Sequence, residues 1–281
     1  MLGLVAGWRW LAPVGTNGAA AGFALAVRPA QGQSVIQTEA SGLSTGDISI
    51  KATDGVPVRA YWVQPSGKGP FPTVLMVSEI FGLHEYIRDT CRRLARQGYQ
   101  VIAPNLFQRQ GDPASVGSVA EILSTIVSKV PDAQVLGDLD ATLAWAAKAG
   151  GNTQKAAITG FCWGGRITWL YAAHGPVKAG VAWYGRLVGQ ASALNPKHPV
   201  DIAAILKAPV LGLYGEKDGG IPLDTVDRMK AALKEGSAAA KASEFVIYPD
   251  APHAFHADYR PSYRQDAAQD GWRRMLGWFK H

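Results

Sequence analysis

Apolar side chains fall in two rhythms along this chain. Short runs rich in β-branched residues at 48–52, 58–63, 73–78, 100–104, 156–160, 180–184, 209–214 and 244–248 predict strands. Between the later runs the apolar positions move to steps of three and four: Leu83, Ile87, Thr90, Cys91 and Leu94, then Val119, Leu123, Ile126, Val127 and Val130, then Leu139, Leu143 and Ala146. Trp272, Leu276 and Phe279 repeat the step near the end of the chain. Such spacing lines one face of a helix. On it, Cys91 reads as core, Asp138 and Asp140 as solvated face, and Arg88, Arg92, Arg93 and Arg96 likewise. Asp54-Gly55 is a hairpin signal between the first two runs, so the sheet is expected to begin with an antiparallel pair. Beyond it, strand alternates with helix. That predicts an α/β fold, a mostly parallel sheet of about eight strands with helices on both faces, and ligands at the C-terminal ends of the strands.

Composition narrows the classes. With 281 residues, 47% hydrophobic and 18% charged, the chain can bury a large core, and no repeat or linker divides residues 36–281, which read as one domain. The net charge of +6 is scattered, without the aromatic interleaving of a nucleic-acid surface, and it favours anionic small molecules through steering. Two cysteines exclude a disulfide framework and a paired-cysteine metal site. The stretch "GAAAGFALAVRPAQGQS" at 18–34 resembles the apolar region of a signal peptide. It is shorter than the roughly 20 apolar residues of a membrane span. Residues 1–35 are therefore expected outside the folded domain, as a signal-peptide-like or disordered segment, with export to the periplasm or beyond as the expectation and a cytoplasmic location as the alternative.

Candidate chemistry starts at "GFCWGG". Gly160-Phe161-Cys162-Trp163-Gly164 follows a strand and opens a helix, the context of a nucleophile elbow, where residues two before and two after the nucleophile must be small. Taken alone, Cys162 is either a nucleophile or one more buried small side chain. A base is sought among six histidines. His253 directly follows the last strand in "YPDAPHAFHADYR", with His256 as its rival; His84, His174, His198 and His281 read as surface residues. An acid should lie between nucleophile and histidine in chain order. Asp218, in "LGLYGEKDGGIP", stands just past a strand, with Glu216 and Asp224 as weaker candidates.

Four blocks, "SEIFGLHEYIRD", "APNLFQRQGD", "GFCWGG" with "YGEKDGGIP", and "PHAFHADYRPSYR", make the chain from about residue 45 onward resemble the dienelactone hydrolase (carboxymethylenebutenolidase) family of α/β-hydrolases. The resemblance implies a Cys-Asp-His triad of Cys162, Asp218 and His253, and a glutamate, Glu79, that contacts the resting cysteine and helps form its thiolate. The thiolate attacks an ester carbonyl. Backbone N–H groups of Ile80 and Trp163 then face the oxyanion. Arg109 matches a family arginine that binds the substrate carboxylate. A second family arginine is replaced by Ala257, with Arg260 three places on as the nearest substitute. No cofactor or metal is expected, and the partner is a small lactone or ester carrying a carboxylate; the chain is expected to act as a monomer or small homo-oligomer. Two rival readings stay open: another thiol-dependent esterase or thioesterase on the same scaffold, and a non-catalytic binding protein with a remnant triad.

Overall fold

The computed structural model describes residues 36–280. The segment read as signal-peptide-like, and His281, lie outside the described residues. The antiparallel opening is β1 (Leu43–Lys51) against β2 (Pro57–Pro65), which pairs antiparallel with β4 (Gln100–Pro104). From there the sheet is parallel, through β3 (Phe71–Val77), β5 (Gly151–Phe161), β6 (Ala179–Trp183), β7 (Val210–Gly215) and β8 (Glu244–Tyr248). The spatial order is β1-β2-β4-β3-β5-β6-β7-β8. This is the eight-stranded, mostly parallel sheet of an α/β-hydrolase.

Helices α1 (Glu85–Ala95), α2 (Val119–Thr125), α3 (Asp132–Lys148), α4 (Trp163–His174), α5 (Pro199–Ile202), α6 (Leu223–Lys234), α7 (Ala238–Lys241) and α8 (Gln265–Trp278) connect and cover it. The central strands β4, β6 and β7 are buried along their whole length, which is why their sequences read as apolar runs rather than alternating ones. Cys91 is fully buried and faces the core, and burial pushes its thiol up and out of reach of chemistry. Among the described residues no helix is long and apolar enough to cross a membrane.

Three sequence expectations change. The apolar stripe from Val119 to Val130 is not one helix: α2 stops at Thr125 and a 3-10 turn, Val127–Lys129, follows. Leu123 and Val127 stay half-buried there and line a cavity instead of the core. The arginines of α1 are not a solvated face either. Arg92 donates to the Thr38 carbonyl (2.7 Å), Arg93 to that of Ile36 (3.2 Å) and Arg96 to that of Glu39 (2.9 Å), so they strap down the stretch leading into β1. Asp138, finally, is buried at 2% exposure, for a reason that appears below.

The junction of β5 and α4 is tightly packed. A Cβ on Gly160 would lie 2.3 Å from the carbonyl oxygen of Gly164, and one on Gly164 would lie 2.4 Å from that of Val77 in β3. Backbone cannot yield at such distances. Gly164→Ala is expected to lower stability by roughly 2–3 kcal/mol, as overpacking does, read as a fall in the urea midpoint; an unchanged midpoint would show that the junction has slack.

Candidate active site

Because strand and helix meet so closely, the residue between them has no ordinary conformation open to it. Cys162 sits at φ 55° and ψ −113°, as the residue before the first turn of α4. Its N–H is tied to the Trp183 carbonyl (3.0 Å), and its own carbonyl receives the N–H of Gly165 (3.0 Å). A non-glycine residue held there costs on the order of 1–3 kcal/mol, the kind of strain that marks functional sites. Trp163 opens the helix, so its N–H has no partner within the helix. Cys162, Trp163, Ile80 and Tyr184 line one cavity of about 430 Å³, with Leu123 and Val127 on its far wall.

The loops after β7 and β8 bring the other two members. Asp218 accepts from His253 Nδ1 at 2.7 Å through one carboxylate oxygen and from the Gly220 N–H at 2.9 Å through the other. Both side chains are almost wholly buried. His253 carries its ring edge against Tyr184, with centroids 5.1 Å apart. Burial is the strongest single influence on the imidazole and pushes its pKa down. The charge of Cys162, then that of Asp218, and hydrogen bonds to both side chains outweigh it and raise the value to about 10. At neutral pH the ring is therefore a cation. His256, the rival, is the opposite case: burial, helped by Arg93, lowers its pKa to about 3, and its Nδ1 sits 2.5 Å from the Tyr86 hydroxyl. It is a neutral packing residue.

Glu79 follows β3 and is buried. It pairs with His84 through Oε1 and receives the Tyr259 hydroxyl at 3.4 Å. Burial would raise its pKa, but the charge and hydrogen bond of His84, and Arg260 beyond them, bring it below the usual value. Arg260 donates to the Tyr259 hydroxyl (2.7 Å) and lies over the rings of Phe81 (4.7 Å) and Tyr259 (4.8 Å). A small cavity of about 10 Å³, lined among others by Glu79, Cys162, Ala257 and Arg260, joins this cluster to the cysteine. Ala257 thus stands in the right space without an arginine's reach, and Arg260 enters the same space from one turn later.

Arg109 is the clear correction. Its guanidinium forks onto Asp138 (2.6 and 2.9 Å) and touches Asp54 (3.1 Å), and it lines neither cavity at Cys162. The sequence motif specifies a guanidinium but not the carboxylate it meets, and here that carboxylate belongs to α3. This pairing is what buries Asp138. His84 and His198 are corrections too: His84 serves Glu79, and His198 is buried against Arg166 and the Gln190 carbonyl. Tyr184, Tyr86 and Tyr259 were not singled out by sequence, although Tyr184 occupies the C-terminal end of β6, where ligands are expected.

The model of the dienelactone hydrolase family matches residues 58–281. The chain belongs to the dienelactone hydrolase family. It is 60% identical over 263 residues to the "Putative carboxymethylenebutenolidase" of Methylorubrum extorquens, covering 93% of this chain and 89% of that protein. A protein of the same name from Escherichia coli is 53% identical over 262 residues, covering 92% and 94%. Among solved structures, a protein titled "Putative Dienelactone Hydrolase" from Klebsiella pneumoniae superposes with TM-score 0.82 at 56% identity, over 85% of this chain and 99% of that one. This dienelactone hydrolase-like chain is thus a hydrolase of a family that acts on small molecules.

Two outcomes test the geometry. Breaking a largely buried ion pair by removing one partner costs about 3–5 kcal/mol, so Arg109→Ala is expected to lower stability toward that range while changing KM for a carboxylated ester less than about twofold. A large KM rise in a stably folded variant would return Arg109 to the substrate. In Cys162→Ser, which has no thiolate, the His253 imidazole should titrate well below about 10 when followed by NMR. Retention of a value near 10 would remove the thiolate as the cause.

Proposed function

We propose that this hydrolase opens lactones or cleaves activated carboxylic esters through Cys162, His253 and Asp218, by way of a thioester. One observation carries the reading: a buried imidazole at the strand ends is held between the Asp218 carboxylate and Cys162, and Cys162 lines a cavity large enough for a small substrate. The thiolate attacks the carbonyl carbon, the C=O electrons move onto oxygen, and the N–H groups of Trp163 and Ile80 receive that oxyanion. Its collapse breaks the acyl C–O bond. His253 delivers its proton to the departing oxygen, so an enolate or alkoxide leaves as the neutral enol or alcohol. In a lactone that oxygen remains tethered to the acyl group. Water, its proton passing to the now neutral His253, then attacks the thioester and returns Cys162 as thiolate beside an imidazolium.

Asp218 keeps the correct ring nitrogen protonated and offsets the desolvation of the cation. The assignment of Glu79 as an activating group follows the family resemblance, and its place on the small cavity that reaches Cys162 supports it. Arg109 is engaged elsewhere and Ala257 replaces a second arginine, which is why the substrate is stated as a class of esters and lactones.

Loss of dienelactone absorbance, with a panel of aryl esters beside it, tests the proposal. Cys162→Ala is expected to lose activity by about 10⁴-fold or more and Asp218→Asn by about 10³–10⁴-fold. A wild-type protein inert toward all of them, or a Cys162→Ala variant as active as wild type, overturns it. Turnover of aryl esters but not of dienelactone supports the broader thiol esterase, whereas Asp218 and His253 variants without any functional loss support the binding protein.

A further inference from the structure

The lining of the cavity at Cys162 includes polar residues beside the apolar Leu123 and Val127, and its charges are unequal. No aspartate or glutamate lines the cavity, but two arginines do, Arg166 and Arg186. Arg166 is neutralised: it is buried and forks onto Asp132 at 2.7 and 2.8 Å, with a third bond to the Lys197 carbonyl. Arg186 is exposed and, among the described residues, makes no hydrogen bond or ion pair. Its backbone is nevertheless held on both sides. The Gly185 carbonyl receives the Tyr214 hydroxyl (2.9 Å), the Leu187 carbonyl receives the Val200 N–H (3.1 Å), and Leu187 itself is fully buried. The loop therefore presents an unpaired guanidinium from a fixed base to a cavity that no carboxylate lines.

We infer that Arg186 is the anion-recognising residue of this site and selects esters or lactones whose acyl part ends in a carboxylate. This inference rests on the hydrolytic reading above. An apolar body would lie along Leu123, Val127 and Ile221, with the carbonyl at Cys162 and the carboxylate turned to Arg186. A guanidinium fork matches a carboxylate with two parallel N–H···O bonds, and at a cavity mouth half out of water such a contact outweighs an ordinary surface pair. Arg109 is committed to Asp138 and Asp54, and Arg260, although one of its guanidinium nitrogens has no partner, faces the small cavity beside Glu79, so in the larger cavity the task falls to Arg186.

The test compares kcat/KM for mono-para-nitrophenyl glutarate with that for para-nitrophenyl valerate, which has the same acyl chain length and no charge. In Arg186→Gln the glutarate-to-valerate ratio is expected to fall about tenfold, and in Arg186→Glu further still. Lys155→Gln, an exposed charge near the far end of β5, should leave the ratio as in wild type. A ratio unaltered in Arg186→Gln overturns the assignment even when both esters are cleaved, and so does an equal fall in Lys155→Gln, which would indicate only net charge. Should wild type cleave neither ester, the hydrolytic reading fails separately. Calorimetric binding of naphthoate to Cys162→Ala, with and without Arg186→Gln, then decides the anion site: weaker binding on loss of Arg186 supports it, and equal affinity overturns it.

Discussion

Backbone touches backbone where β5 runs into α4, and that contact sets the terms for the rest of the site. With no room for side chains at Gly160 or Gly164, the chain turns within a few residues and Cys162 takes a positive φ. Its side chain then stands at the edge of the sheet, with the first N–H of a helix beside it. The strain is small against the burial around it, since Phe161, Trp183, Tyr184 and Ile167 are all within the core. Core packing on this scale over-determines the turn, so a conformation that costs on the order of 1–3 kcal/mol persists. The elbow exists because its surroundings leave no alternative.

Charge is arranged on the same plan. Several buried ions near the sheet's C-terminal edge have a dedicated opposite: Asp218 for His253, Asp132 for Arg166, Asp138 for Arg109. Desolvation makes an unpaired buried charge expensive, so such pairs mainly fix positions and add little net stability. His253 is the instructive member. It has a carboxylate on one side and Cys162 on the other, and the two together overcome a burial penalty that His256, lacking any anion, does not. Two histidines three residues apart, with comparable burial, therefore differ in charge at neutral pH.

The elements and the order of the triad candidates were legible because they follow from local rules. Strand ends are announced by apolar runs, the elbow by its glycines, and the acid and histidine by their places after the last two strands. What was not legible depends on contacts between distant segments. Arg109 meets carboxylates 29 and 55 residues away, and nothing in "LFQRQ" names them. Arg92 and Arg93 looked solvated because some of their partners, the backbone carbonyls of Thr38 and Ile36, carry no sequence signal. His84 was taken for a surface residue since a histidine five places after a glutamate has no periodic relation to it, and a loop rather than a helix brings them together.

The Glu79 cluster shows how the same charges bear on the cysteine. Glu79 and Cys162 border one small cavity, so a thiolate formed there would be repelled by the carboxylate unless cations stood near both. His253 answers the thiolate, while His84 and Arg260 answer Glu79. Arg260 approaches from the loop beyond Ala257, with its guanidinium sandwiched by Phe81 and Tyr259, so it is aimed by ring packing rather than by a carboxylate fork. With alanine at position 257, the positive charge is set back onto Glu79, and the larger cavity is left to whatever cation faces it, which in this chain is the guanidinium on the loop after β6.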